Sequence, residues 1–134
     1  MTRPDWEHYL MGLAVAASAR SACERLQVGC VLTRDRRVLA TGMNGWVAGQ
    51  PHISVIRDNH EQATLHAEQN AICQAARHGV NVDGATAYVT HFPCLRCAML
   101  LCAAGIVEVV YMHDYKNDPL IAELLPSLKI RKLI

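Results

Sequence analysis

His66-Ala67-Glu68 and Pro93-Cys94-Leu95-Arg96-Cys97 are the runs of this 134-residue chain whose residue types could do chemistry together. Cys94 and Cys97 are three residues apart, so on the first turn of a helix they face the same way. Sulfur at that place lies near unpaired backbone N–H groups and the positive end of the helix dipole. Both favour the thiolate that a metal needs. His66 would add a neutral imidazole nitrogen. One histidine and two cysteines make three zinc ligands, whereas a structural zinc is normally closed by four protein groups. The remaining corner can hold water, whose pKa zinc lowers to about 7. Glu68 stands two residues past His66, too close to share the same coordination shell comfortably. It is well placed to take a proton from that water and pass it on. Taken singly, His66, Cys94 and Cys97 would read as a buried histidine and two core cysteines. Taken jointly, with Glu68 and Pro93 in place, they predict one zinc per chain. A redox reading of the cysteine pair leaves His66 and Glu68 without a role.

The elements around these runs have to bring them together. Letters from Asp5 to about Glu24 are helical, with Pro4 and Asp5 suited to a helix start. Gly29–Thr33 and Val38–Thr41 read as two strands joined by the charged turn Arg34–Arg37, a hairpin. Gly42–Leu65 is a long irregular stretch, and loops of that length inside a compact domain are usually functional. A helix over His66–His78 stopped by Gly79, a strand over Ala85–Thr90 and a helix over Pro93–Ala104 follow. Then come a strand over Val107–Met112, a short helix near Pro119–Leu125 and a last strand around Lys129–Leu133. This order predicts an α/β fold, one mixed sheet with helices on both faces, its last strand–helix–strand unit a parallel crossover. Both zinc-ligand runs then fall at helix starts that can meet at one edge of the sheet.

Composition narrows the class. With 51% hydrophobic and 19% charged residues the chain is neither disordered nor long enough for much beyond a single domain over 1–134. A net charge of +1 argues against nucleic acid as a partner, which needs a broad basic surface. No apolar run reaches the roughly 18–20 residues that span a bilayer, and the first residues have no secretory layout. No membrane association and a cytoplasmic location are expected. The six cysteines, Cys23, Cys30, Cys73, Cys94, Cys97 and Cys102, are then not a disulfide framework. Those outside the motif read as packing residues.

The order His-x-Glu, then Pro-Cys-x-x-Cys, fills the zinc nucleobase-deaminase signature, with 28 residues from His66 to Cys94. The wider context resembles the cytidine/deoxycytidylate (dCMP) deaminase superfamily, its dCMP branch above all. Leu65–Ile72, Thr90-His91-Phe92-Pro93-Cys94, Arg3-Pro4-Asp5-Trp6, Val28-Gly29-Cys30-Val31 and Gly42-Met43-Asn44-Gly45 carry the likeness over nearly the whole chain. The resemblance implies a three-layer αβα sandwich around a mixed five-stranded sheet. It implies hydrolytic deamination of a cytosine nucleotide, dCMP to dUMP with release of ammonia. Glu68 would protonate the ring nitrogen and then the leaving amine. Asn44 would help hold the sugar, Arg25 would meet the phosphate and Tyr115 would line the pocket. A homo-oligomer is implied as well. The alternatives are deamination of another base or nucleoside, tRNA adenosine included, or a non-catalytic zinc-stabilised interaction module.

Three departures from the pattern stand out. Met43 replaces the tyrosine usual in its motif, in a stretch that takes part in triphosphate regulation among allosteric dCMP deaminases. Weak or no control by dCTP and dTTP is therefore expected. Between Asn44 and Glu68 there is no cysteine, only His52 and His60, so a second zinc is not expected. The 45–65 loop is short and differently composed, which bears on substrate identity.

Overall fold

The computed structural model describes residues 2–134. Helix α1 (Trp6–Ser18) starts at Asp5, whose carboxylate accepts the His8 N–H at 2.8 Å. Strands β1 (Gly29–Arg34) and β2 (Arg37–Met43) form the expected hairpin. Asp35 and Arg36 both take positive φ, the turn geometry that matches strand twist. Four two-residue strands follow: β3 (Gly45–Trp46), β4 (Ile56–Arg57), β5 (His60–Glu61) and β6 (Thr64–Leu65). Then come α2 (Ala67–Arg77), β7 (Thr86–His91), α3 (Leu95–Ala103), β8 (Glu108–His113), α4 (Leu120–Leu124) and β9 (Lys129–Lys132). The main sheet has five strands in the order β2-β1-β7-β8-β9. β1 is antiparallel to β2 and to β7, while β7–β8 and β8–β9 are parallel. This is the mixed α/β sheet expected from the residues.

Strand alternation explains the layering, because successive side chains point to opposite faces. Val31, Tyr88 and Val110 pack against Leu10, Met11 and Ala14 of α1. Cys30, Leu32, Ala87, Val89 and Val109 turn the other way, onto Ala67, Ala71 and Ala75 of α2 and Ala98 and Leu101 of α3. The alanine-rich face of α2 lets the helix come close. A Cβ on Gly42 would overlap the Ala67 carbonyl oxygen and lie 2.5 Å from Ala71 N. Gly79 and Gly105, both at positive φ, follow the ends of α2 and α3.

Several expectations need correction. α1 stops at Ser18, not near Glu24. Ser18 Oγ bonds back to Val15 O, and the Ser21 hydroxyl donates to Asn44 O and accepts from Cys23 N. Such short side chains compete with the helix for backbone groups. β2 runs to Met43, which pairs with Gly29, so Met43 ends a strand and does not sit in a loop. The 42–65 stretch holds two small hairpins, β3–β6 and β4–β5. Asp58 and Asn59, at positive φ, make the turn of the second. Arg34 is more than a solvated turn residue, since it donates to the carbonyls of Asn81 and Asp83. Cys73, expected to pack, is exposed.

Candidate active site

The chain enters α2 at His66 and α3 at Cys94, each in extended conformation as the N-cap. Cys97 lies three residues on, fully buried. The arrangement follows from the sheet. β7 delivers Thr90 and His91 to its carboxyl end, and the turn through Phe92 and Pro93 sends the chain back as α3. α2 lies beside it over the same face, so two helix starts converge at the carboxyl ends of the parallel strands.

His66 Nδ1 lies 3.2 Å from Cys97 Sγ and 3.6 Å from Cys94 Sγ, and the three ligand atoms all fall within 4.8 Å of one another. Zinc–sulfur bonds of about 2.3 Å and zinc–nitrogen bonds of about 2.0–2.1 Å put tetrahedral ligand atoms roughly 3.5–3.8 Å apart. The residues fit a zinc ion. Among the described residues no other His, Cys, Asp or Glu joins this cluster. His66 and Cys94 face solvent and Cys97 does not.

The electrostatics suit a cation. The contact with Cys97, supported by His66 and the Cys97 N–H, pulls the Cys94 thiol down to about 4. That N–H lies 3.5 Å from Cys94 Sγ. Cys97 moves the other way, raised by the same Cys94 contact and by burial. The contact with Cys94 raises the pKa of His66. Glu68, only 4% exposed, is raised to about 7 mainly by burial, with the charge on Cys94 adding to it. A carboxyl poised near neutrality can both take and give a proton.

A cavity of about 160 Å³ joins these groups. That is less than the roughly 300–1,000 Å³ of a pocket enclosing a drug-sized ligand, so it suits a single ring. His66, Ala67, Glu68 and Cys94 form one side, and Leu26, Val28 and Asn44 another. His91, Phe92 and Tyr115 close the third.

Of the substrate contacts expected from the sequence, Asn44 and Tyr115 line this cavity and Arg25 does not. The Asn44 amide also ties down the adjoining loop. Its Oδ1 accepts Val28 N–H at 2.9 Å and its Nδ2 donates to Leu26 O at 2.7 Å. Arg25 is exposed, one residue before the lining begins. Trp46 and His52 stack on each other at 4.9 Å, and neither reaches the cavity. His91, which the sequence suggested as a group behind the metal ligands or at the sheet edge, stands in the cavity wall. Phe92, held edge-on to Tyr111 at 5.0 Å, was missed. Both precede the Pro-Cys run directly, and that adjacency was the available signal.

Residues 4–113 match the family model described as the cytidine and deoxycytidylate deaminase zinc-binding region. The chain is 43% identical over 128 residues to the ComE operon protein 2 of Bacillus subtilis (strain 168), a match covering 92% of this chain and 68% of that one. It is 43% identical over 129 residues to the deoxycytidylate deaminase of Mycobacterium phage D29, covering 85% and 99%. Among solved structures, the dCMP deaminase of cyanophage S-TIM5 in complex with dCMP and dUMP superposes with a TM-score of 0.86 at 28% identity. That match covers 99% of this chain and all of the other.

Proposed function

Since this chain belongs to the cytidine and deoxycytidylate deaminase zinc-binding family, we propose that it hydrolyses dCMP to dUMP and ammonia. The observation that carries the reading is one juxtaposition. The buried carboxyl of Glu68 opens into the same ring-sized cavity as the solvent-facing ligands His66 and Cys94.

His66, Cys94 and Cys97 would hold the zinc. When bound, it supplies a Lewis acid that makes water a nucleophile near neutral pH. Glu68 takes a proton from the attacking water and delivers it to the pyrimidine ring nitrogen. A bond forms between the water oxygen and the ring carbon that carries the amine. Glu68 then passes the second water proton to that amine, the carbon–nitrogen bond breaks and ammonia leaves. Burial favours the protonated Glu68 that the second half requires. Phe92 and Tyr115 line the cavity that would take the ring, and Asn44, which lines it too and ties down Leu26, would help hold the sugar.

The reading extends to the whole chain. Residues 1–134 act as one catalytic domain, as a homo-oligomer in the cytoplasm, with weak or no control by dCTP and dTTP. Exposed Trp6, Tyr9, Leu100 and Leu124 offer apolar surface for subunit contact. No helix is long and apolar enough to cross a membrane among the described residues. The deciding experiment is a screen of the zinc-loaded protein for ammonia release from dCMP, CMP, deoxycytidine, cytosine and a tRNA anticodon stem. Preference for dCMP is expected, and turnover confined to any other substrate would overturn the reading.

A further inference from the structure

Residues 21–28 connect α1 to β1 and form neither helix nor strand, yet they supply Leu26 and Val28 to the cavity wall. Helix starts and strand ends build most of the remaining lining. A wall outside any ladder must find partners for its backbone groups among side chains.

Ser21 supplies them at one end. It is only 7% exposed, a buried polar residue that the chemistry leaves unused. Its hydroxyl donates to Asn44 O at 2.7 Å and accepts the Cys23 N–H at 3.1 Å, so it serves in both roles at once. The Ser21 carbonyl accepts from Gln27 Nε2 at 3.0 Å. Asn44 is gripped in turn. Its N–H donates to Val28 O at 3.3 Å, its Oδ1 accepts Val28 N–H at 2.9 Å and its Nδ2 donates to Leu26 O at 2.7 Å. Both amide partners are backbone groups of fixed role, so the orientation of the amide is determined. At the other end, Gly29 N–H donates to Thr90 Oγ1 at 3.1 Å, one residue beyond the β1–β7 pairing that begins at Cys30 and Val89. The wall segment is thus stitched at both ends, and the Ser21 hydroxyl joins its first residue to Asn44.

We propose that Ser21 is a positioning residue for the reaction, holding Asn44 and the 21–28 wall in their binding arrangement before the nucleotide arrives. The inference rests on the functional reading above. A wall already in order spares the ligand the entropy of ordering it, so the gain falls on binding. His66, Glu68, Cys94 and Cys97 belong to the entrances of α2 and α3, so turnover at saturation depends little on Ser21.

The test uses the zinc-loaded protein with dCMP as substrate and dUMP as the ligand for calorimetry. Ser21→Ala is expected to raise KM about tenfold with kcat within about twofold, and to weaken dUMP binding by a similar factor. Amide exchange at Cys23 and Val28, read without ligand, should quicken about tenfold, and saturating dUMP should slow it again. Gln27→Leu removes the second tie at an exposed residue where folding is not at stake, and should raise KM about threefold. Thr33→Val is the control. It deletes an equally buried hydroxyl that donates to Thr86 O at 3.1 Å, towards the other end of β1, and should leave KM unchanged. Unchanged KM in both Ser21→Ala and Gln27→Leu would overturn the proposal, as would an equal rise in Thr33→Val or a fall confined to kcat. Turnover of dCMP by the wild-type protein with none of these shifts sinks this inference alone. A wild-type protein that leaves dCMP intact sinks the functional reading, while the exchange rates still decide whether Ser21 orders the wall.

Discussion

Gln69 Oε1 accepts the backbone N–H of His66 at 2.7 Å. This bond clamps the entrance of α2 at the residue that carries a metal ligand. Groups that orient a ligand commonly change metal affinity by about 10–100-fold when removed. We predict that Gln69→Ala weakens zinc binding about tenfold in competition with a chelator. Gln69→Glu keeps an acceptor there and should stay near wild type. Unchanged affinity in Gln69→Ala would show that the packing of α2 alone places His66.

That packing has its own test at Gly42. A Cβ there overlaps the Ala67 carbonyl, so α2 must move off the sheet together with His66 and Glu68. Overfilled cores typically lose about 1–3 kcal/mol. We predict a loss of that size for Gly42→Ala by denaturant unfolding, with weakened zinc retention. Gly12→Ala is the control, since a Cβ there meets nothing within 4 Å.

A third prediction concerns pH. Arg131 bonds Glu7 of α1 and, at 3.2 Å, Glu108 of β8. Partial burial of Glu108 would raise its pKa, but Arg131 and Lys129 outweigh that and hold it below the ordinary 4.5. A depressed carboxylate contributes stability that is complete above the unfolded pKa and is lost as pH falls through the folded one. Arg131→Met should therefore cost about 1–2 kcal/mol at pH 7. The difference from wild type should shrink below about pH 4. A difference constant from pH 7 to pH 3 would contradict the ion-pair account.

The chemistry was more legible than the walls around it. His66, Glu68, Cys94 and Cys97 could be read because a helix start imposes its own spacing and dipole, both local properties. The strands could be read from short apolar runs such as Gly29–Thr33 and Val107–Met112. The end of α1 could not, because Ser21 leaves the helix to bond Asn44 O, a partner 23 residues away. The Met43 register failed for a similar reason, since pairing with Gly29 belongs to the whole hairpin. Asn44 beside Gly45 also has the residue types of an ordinary turn pair. Its grip on Leu26 and Val28 depends on two loops meeting. Arg25 illustrates the limit from the other side: the resemblance implied a phosphate contact, and the exposed side chain lies one residue before the lining of the ring-sized cavity.

The most direct measurement pairs metal content with turnover in Glu68→Gln, which removes the shuttling carboxyl and keeps its shape. We predict one zinc per chain, an unchanged fold, and dCMP deamination lowered by at least about 10³-fold, in the range expected for loss of a general acid–base group. Turnover close to wild type in a variant that still holds its zinc would contradict the account.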